Sequence, residues 1–245
     1  MTDYTETTTG NGAVEGKEGA LEEASAAEQY AQNADRANRT QKDAGGFGTA
    51  RDPRIPVGGG YTEKDYFALP EDLRVELIDG VFYDMASPAK LHQKAAFEIA
   101  RQLEDCIEEN RKECFLYIAP SDVALGDDGK TVVQPDIYVH CDREKDRKPG
   151  PHRGAPDFIV EILSPYNPEN DLWRKRELYQ RYGVREYWIV NPQNGKIYVF
   201  IFPEDSKAEI RPKEYSFDGL VPVQTANGTC RVDFRKVYRK IEHLL

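Results

Sequence analysis

The chain has 245 residues, a net charge of −10 and 39% hydrophobic residues, which suits one packed domain with additional segments. An acidic chain is not expected to coat nucleic acid or anionic membrane through its overall charge, although a local basic cleft is compatible with it. The N-terminus lacks a secretory pattern, and the longest apolar run, at 197–202, is too short to cross a bilayer as a helix. We therefore expect a cytoplasmic protein that does not associate with membranes.

Three segments are predicted along the chain. Residues 1–52 are acidic and contain almost no large aliphatic side chains, so we predict a disordered tail that cannot offset the entropy of ordering. A structured domain is expected over 53–212. Over 213–245 we expect a C-terminal extension of short strands and turns, packed on or beside the domain. The four cysteines show neither CxxC spacing nor a zinc pattern, and we expect reduced thiols.

The domain begins with a short helix at TEKDYFAL, followed by a hairpin at VELIDGVFYDM with Asp79-Gly80 in the turn. A long amphipathic helix follows, with apolar residues every three and four positions. Strands are predicted at CFLYIAPSDVAL, TVVQPDIYVHC and PDFIVEIL, then a helix at NDLWRKRELYQRYGV and a strand pair at EYWIVNPQNGKIYVFIF. Runs such as FIVEIL are apolar on both faces, so we predict an α/β fold in which helices flank a central mixed sheet.

Two carboxylates lie inside apolar strands. Glu161 is in PDFIVEIL and, because strand residues alternate faces, it shares a side with Ile159 and Leu163. Asp136 is in VVQPDIYVH, on another predicted strand. An unpaired buried carboxylate is costly and is usually protonated, paired or bound to a metal. Two such groups on adjacent strands can hold a hard divalent cation such as Mg²⁺.

Lys175 lies on the apolar stripe of its helix, one turn before Tyr179, so its side chain should point at the sheet. A lysine beside two carboxylates can orient a metal-bound water and stabilise charge on a phosphate, which suits phosphodiester hydrolysis. A buried structural salt bridge explains the same pattern equally well, and the lysine head could also extend to solvent.

The segments RVELIDG, VVQPDIYV, APDFIVEILSP, DLWRKRELY and GVREYWIVNP, in this order, resemble the Uma-two family of bacterial restriction endonucleases in the PD-(D/E)XK nuclease superfamily. The resemblance spans residues 60–202. It implies the restriction-endonuclease-like fold, with an added N-terminal hairpin and a metal site at one end of the sheet. It also implies that Asp136 and Glu161 are the motif acids that bind Mg²⁺ or Mn²⁺.

The sequence departs from the superfamily pattern at Leu163, which stands where the lysine of E-X-K belongs. The resemblance places that lysine on the following helix, at Lys175, from which the amine could reach the Glu161 carboxylate.

Three further residues are candidates for this site. Glu76 in RVELIDG stands where the family carries an acid and would complete the metal shell, although a solvent-facing strand position explains it too. His92 and Gln134 are possible auxiliary residues, and a core or capping role is the alternative for His92.

A nuclease with this net charge needs local basic groups to bind nucleic acid. The candidates are Arg147, Lys148, Arg153 and Arg174. The first three lie in the basic loop that joins the two acid-bearing strands. Phosphate contacts would give salt-sensitive affinity without sequence preference. Charge runs of this kind, including the basic stretch at 231–240, are also common on ordinary solvated faces.

We therefore predict an endonuclease dependent on Mg²⁺ or Mn²⁺ that hydrolyses phosphodiester bonds, with DNA as the expected substrate and RNA as an open alternative. Asp136, Glu161 and Glu76 would bind the metal, and Lys175 would assist the attacking water. The alternative is a catalytically inactive DNA-binding or assembly module that retains the fold. A homodimer is expected by analogy with the superfamily.

Overall fold

The structure is a computed structural model that describes residues 52–110, 113–163, 169–203, 210–225 and 229–245, with the backbone alone described for 169–173. The tail predicted over 1–52 lies outside the described residues except for Asp52. The domain boundaries therefore stay predictions.

The described chain contains both helices and strands. The helices are α1 (Glu63–Tyr66), α2 (Lys90–Glu109), α3 (Arg143–Asp146), α4 (Glu169–Tyr182) and α5 (Phe234–Ile241), followed by a 3₁₀ turn (Glu242–Leu244). The strands are β1 (Val75–Ile78), β2 (Val81–Asp84), β3 (Phe115–Ile118), β4 (Val123–Ala124), β5 (Val132–Val133), β6 (Ile137–His140), β7 (His152–Arg153), β8 (Phe158–Ile162), β9 (Glu186–Asn191), β10 (Lys196–Ile201), β11 (Lys213–Ser216), β12 (Leu220–Pro222) and β13 (Arg231–Asp233).

A six-stranded sheet in the order β11-β10-β9-β8-β6-β3 forms the centre of the fold. The sheet is mixed, because β8 and β9 are parallel and the other neighbours are antiparallel. Alternate residues of β8 enter two cores: Val160 packs in the core shared with α2 and α5, and Ile159 packs with Tyr179 of α4. The predicted α/β architecture, a central mixed sheet flanked by helices, is confirmed.

A second sheet of five strands has the order β2-β1-β5-β4-β7. The predicted hairpin is present as β1 and β2, and Asp79 and Gly80 both have positive φ, as a two-residue primed turn requires. Two regions predicted as strands each contribute to both sheets, β3 and β4 in one case and β5 and β6 in the other. In the second region Pro135 stands between the strands, where it cannot donate to a ladder.

The C-terminal segment contains a helix that the sequence interpretation missed. Its apolar residues Phe234, Val237 and Ile241 recur at helical spacing and are buried in the core shared with α2. The Asp233 side chain accepts a hydrogen bond from Arg235 N and caps this helix. Strands β12 and β13 pair beside it.

The cysteines are joined in two disulfides, Cys106–Cys230 and Cys114–Cys141. The expectation of reduced thiols is therefore wrong in this structure. Sequence spacing could not reveal the pairing, because the fold brings residues 124 positions apart to a Cα–Cα distance of 5.7 Å. In the part of the chain that the structure describes, no helix has the length and apolar character needed to cross a membrane.

Candidate active site

Asp136 and Glu161 lie at one end of the six-stranded sheet, where Glu161 is on β8 and Asp136 immediately precedes the neighbouring antiparallel strand β6. Ile137 of β6 is opposite Val160 of β8, so continuing this register by one step places Asp136 opposite Glu161. Directly opposed residues of neighbouring strands project from the same face of a sheet. The Ile162 N–H donates a 2.7 Å hydrogen bond to Asp136 Oδ2, which fixes this carboxylate against β8.

Lys175 of α4 joins two carboxylates that come from different sheets. Its Nζ lies 2.9 Å from Glu161 Oε1 and 2.8 Å from Glu76 Oε1. The predicted closeness of the Lys175 amine to Glu161 is confirmed, and the alternative in which the lysine head extends to solvent is wrong, since Lys175 is buried. Glu76 on β1 is also buried, so its reading as a solvent-facing strand residue is wrong. The Lys175 amine on α4 therefore contacts one carboxylate from each of the two sheets.

Tyr179 is a site residue for which no role at the site was predicted from the sequence. It is fully buried, and its hydroxyl donates a 2.7 Å hydrogen bond to Glu161 Oε1. Its position one turn after Lys175, on the same helical stripe, was the available signal. Burial raises the pKa of the Tyr179 hydroxyl, so this group remains a hydrogen-bond donor.

The electrostatics of Glu161 reflect its burial. Only 3% of the residue is exposed, and the pKa of its carboxyl is raised to about 7, with this desolvation as the largest cause. The positive charge of Lys175 acts in the opposite direction, and the negative charges of Asp136 and Glu76 contribute to the rise. Glu161 thus has a pKa near neutrality, well above that of an exposed glutamate.

Gln134 holds Glu76 in place through its backbone. Its N–H donates a 2.9 Å hydrogen bond to Glu76 Oε1. Its side-chain Nε2 donates to Tyr66 OH at 3.0 Å and to Asp122 Oδ1 at 2.9 Å. Gln134 is therefore a contact of the site, positioned by a polar network between α1 and β4.

His92, in the first turn of α2, contacts the other acid. Its Nε2 lies 2.9 Å from Asp136 Oδ2, and its buried Nδ1 has no hydrogen-bond partner among the described residues. Burial is the largest influence and favours the neutral ring. The hydrogen bond to Asp136 and the charges of Asp136 and Glu161 act in the opposite direction, and the net effect is that the pKa of His92 is raised.

The predicted nucleic-acid contacts do not lie together. The loop with Arg147 and Lys148 leaves β6 after His140, whereas Asp136 precedes the same strand. The loop therefore leaves from the end of the sheet away from the acids, because a strand of four residues separates them by about 13 Å. The loop connects β6 to the strands that follow, but this connection does not place it near Asp136 and Glu161.

The other two basic candidates have partners within the protein. Arg153 forms an ion pair with Glu63 of α1. The Arg174 guanidinium lies 4.0 Å from the centre of the Tyr83 ring, and Tyr83 is the cross-strand partner of Glu76. Arg174 is thus the one of these four that lies beside the carboxylate site. Contact of any of them with nucleic acid stays a prediction.

The donor set fits a hard divalent cation. Glu76, Asp136 and Glu161 offer carboxylate oxygens, which Mg²⁺ and Mn²⁺ prefer. Lys175 occupies Oε1 of both glutamates, and within the described ranges no three His, Cys, Asp or Glu side chains form a ready-made metal cluster. Metal binding at this site would therefore require the carboxylates to change their contacts.

Comparisons with known proteins agree with this architecture. A solved structure described as a "putative nuclease belonging to DUF820" from Anabaena variabilis is similar to the chain with a TM-score of 0.61 and 18% identity, over 74% of this chain and 99% of that one. At this identity the likeness shows the fold, which is restriction-endonuclease-like. A search of curated proteins gives no match. The family model Uma2, described as "Putative restriction endonuclease", matches residues 63–228, most of the chain. The chain belongs to the Uma2 family.

Proposed function

We propose that the chain is a metal-dependent endonuclease that hydrolyses phosphodiester bonds in DNA. The observation that carries this proposal is the buried cluster at one end of the central sheet, where the Lys175 amine contacts Glu161 and Glu76 beside Asp136. Membership of the Uma2 family supports the nuclease class. The metal, the choice of DNA and the roles of the residues are our proposals.

Each residue of the cluster has a role that follows from its chemistry. Asp136, Glu161 and Glu76 would hold Mg²⁺ or Mn²⁺, which when bound supplies Lewis acidity toward a phosphoryl oxygen and water. The cationic Lys175 would orient the attacking water and stabilise negative charge that develops on the phosphate.

Two residues support the acids without taking part in the reaction. Tyr179 fixes Glu161 through its hydroxyl, and His92 fixes Asp136 through Nε2. Residues that hold reactive groups in place in this way contribute to catalysis through preorganisation.

Cleavage of supercoiled plasmid tests the proposal. Wild-type protein should nick or linearise DNA with Mg²⁺ or Mn²⁺ and should be inactive in EDTA. Asp136→Asn keeps the size of the side chain and should lower the rate at least about 100-fold, because it removes a charged ligand. Asp127→Asn, in an exposed turn, is the matched control and should cut at the wild-type rate. Full activity of Asp136→Asn would rule out the assigned site.

A second candidate function is a catalytically inactive DNA-binding or assembly module. The buried contacts of Lys175 with two glutamates favour it, since they satisfy the charges without a metal. Calorimetric titration with Mn²⁺ separates the two. The nuclease should bind Mn²⁺ saturably and lose binding in Asp136→Asn, whereas the inactive module should bind none.

The substrate and the oligomeric state are tested separately. DNA and RNA of matched sequence, compared in the same cleavage assay, test the choice of DNA. A homodimer is proposed by analogy with the superfamily. Sedimentation equilibrium of the full chain should give twice the mass of one chain.

A further inference from the structure

An open cleft lies between α2 and α5, away from the carboxylate cluster. It has a volume of about 480 Å³ and is lined by Glu98, Arg101, Lys236, Arg239 and Lys240. Arg239 and Lys240 follow Lys236 by three and four positions, so both are its neighbours on one side of that helix. The cleft is therefore lined mostly by cations.

The cations of α5 are available to a ligand. Arg101 is held by Glu98 and Asp105, so its charge is already balanced. Lys236, Arg239 and Lys240 are exposed, and none of them forms an ion pair with a carboxylate elsewhere in the described chain. In a protein with a net charge of −10, these three cations form a local positive surface.

The positive surface continues along the exposed face of α2. Lys90, Lys94, Phe97 and Arg101 recur at three or four positions and so lie on one stripe. Both lysines are exposed and form no ion pair within the described ranges. Phe97 is 66% exposed, which is unusual for an aromatic side chain on a helix flanked by cations. Cations interleaved with an exposed aromatic ring are typical of surfaces that bind single-stranded nucleic acid.

This surface leads toward the carboxylate cluster. The first turn of α2 carries His92, which contacts Asp136. At the start of α5, Asp233 N donates to Gln102 Oε1, and at its end the charge of Lys240 acts on Glu98. The helix therefore runs along α2 toward its N-terminal end, which is the end next to Asp136.

We propose that the α2–α5 surface, defined by Lys90, Lys94, Phe97, Lys236, Arg239 and Lys240, binds the phosphate backbone of the nucleic acid substrate. The cations contact successive phosphates, and Phe97 stacks on an unpaired base. The inference rests on the proposed function, because that function identifies nucleic acid as the polyanion. It assigns the main contact to these helices and not to the loop with Arg147 and Lys148.

Fluorescence anisotropy with labelled DNA, both a 20-base strand and a 20-base-pair duplex, tests the proposal. The full chain is used in EDTA, so that binding is measured without cleavage. Lys236→Gln/Lys240→Gln should weaken binding about 10-fold at 0.1 M salt and lower the slope of log K against log[salt] by about 2 for the duplex. The control is Lys64→Gln/Lys130→Gln, which removes the same charge from two exposed positions outside this surface and should bind as wild type.

A second variant tests the aromatic contact. Phe97→Ala replaces an exposed side chain, so the fold should be preserved, and circular dichroism checks this for every variant. Binding of the single strand should weaken about 5-fold or more, while duplex binding changes little. Equal changes in affinity for the single strand and the duplex would show that Phe97 does not stack on an unpaired base.

The outcomes separate this inference from the proposed function. If Lys236→Gln/Lys240→Gln binds DNA like wild type, or if polyglutamate of equal charge displaces DNA as well as unlabelled DNA does, the α2–α5 assignment is wrong. The nuclease proposal then still stands if metal-dependent cleavage depends on Asp136. If no metal supports cleavage but DNA binding depends on Lys236 and Lys240, the nuclease proposal is wrong and the binding surface is retained.

Discussion

At the residue scale, the site is organised around one buried cation between two buried carboxylates. Lys175, Glu76 and Glu161 are each almost fully inaccessible to solvent. Burying charges is expensive, and the attraction between them compensates for this only while every partner is present. The Tyr179 hydroxyl and the Gln134 N–H add hydrogen bonds to the two glutamates.

Lys175→Met should destabilise the protein by about 3–5 kcal/mol, because it leaves two carboxylates buried without their cation. Urea unfolding at pH 7.5 measures the change. The control is Lys94→Met on the exposed face of α2, which should change stability by less than about 0.5 kcal/mol. A Lys175→Met variant as stable as the wild type would mean that the buried contacts contribute little to folding.

His152, which lies outside the carboxylate cluster, should make the stability of the fold depend on pH. Its pKa is lowered to about 4, chiefly by burial and also by the charges of the nearby His140 and Lys145. Its ring lies 4.3 Å from that of His140, and its Nε2 has no partner among the described residues. In the unfolded chain the His152 imidazole is protonated below about pH 6.5, whereas in the folded protein it is protonated only below about pH 4. Stability from His152 is therefore present above pH 6.5 and is lost as the pH falls toward 4.

His152→Phe keeps an aromatic ring and removes this titration. Between pH 7.5 and 4.5, the variant should lose about 1–3 kcal/mol less stability than the wild type. Urea unfolding at the two pH values measures the difference. Identical losses in both proteins would show that His152 is protonated in the folded state at pH 4.5.

The sequence was informative about the site wherever periodicity was strong. Alternation in β8 and the helical stripe of α4 placed Glu161 and Lys175 toward each other, as the structure confirms. The same patterns indicate which way a side chain points but not which atom it contacts, so the hydrogen bond from the Tyr179 hydroxyl to Glu161 was not predicted. Loop residues such as Arg147 have no periodicity, and their position depends on the direction of the flanking strands.

At the element scale, the turn between β4 and β5 packs against the end of α4. Gly126 in this turn has φ of 71°, and a Cβ placed there would lie 2.5 Å from Tyr182 Cε1. Tyr182 is in turn held by a 3.2 Å hydrogen bond between its hydroxyl and Thr131 Oγ1. The close approach requires glycine for two reasons, the backbone conformation and the absence of a side chain.

Gly126→Ala should therefore destabilise the protein more than Gly129→Ala. Both glycines have positive φ, but a Cβ at Gly129 has its nearest contact at 4.0 Å. The shared backbone strain costs about 1–2 kcal/mol, and the clash with Tyr182 should add about 1–3 kcal/mol at Gly126 alone. Thermal unfolding of the two variants measures the difference, and equal losses would show that Tyr182 moves aside freely.

Whether a segment forms a helix or a strand was predicted more often than which strands pair with each other. Strongly periodic segments, α2 and α4, and the doubly apolar β8 and β9 were identified from sequence alone. The split of two predicted strands between two sheets was not, because strand pairing depends on contacts distant in sequence. The helix α5 was missed because its three apolar positions are separated by charged residues that resemble a basic loop.

At the scale of the whole molecule, the C-terminal segment belongs to the same core as the central sheet. Val221, Val232, Phe234, Val237 and Ile241 are fully buried in the cluster that also contains Ile99 and Trp188. Deleting residues 213–245 would expose this cluster, so the shortened chain should lose cooperative unfolding.

Deleting residues 1–51 should instead leave the melting temperature within about 2 °C of the full chain, since their composition offers little apolar surface to bury. Calorimetry of the two truncated proteins tests both the loss of cooperative unfolding and the unchanged melting temperature. A cooperative transition without residues 213–245 would show that this segment is a separate attachment.

Metal-dependent cleavage at the carboxylate cluster is tested most directly by the rate at which Glu161→Gln cleaves supercoiled plasmid with Mn²⁺, relative to wild type. The substitution keeps the shape of the side chain and removes its charge beside Lys175. We expect metal-dependent cleavage by the wild type and a rate at least about 100-fold lower in the variant, with the fold intact by circular dichroism. Cleavage by Glu161→Gln at the wild-type rate would contradict this expectation.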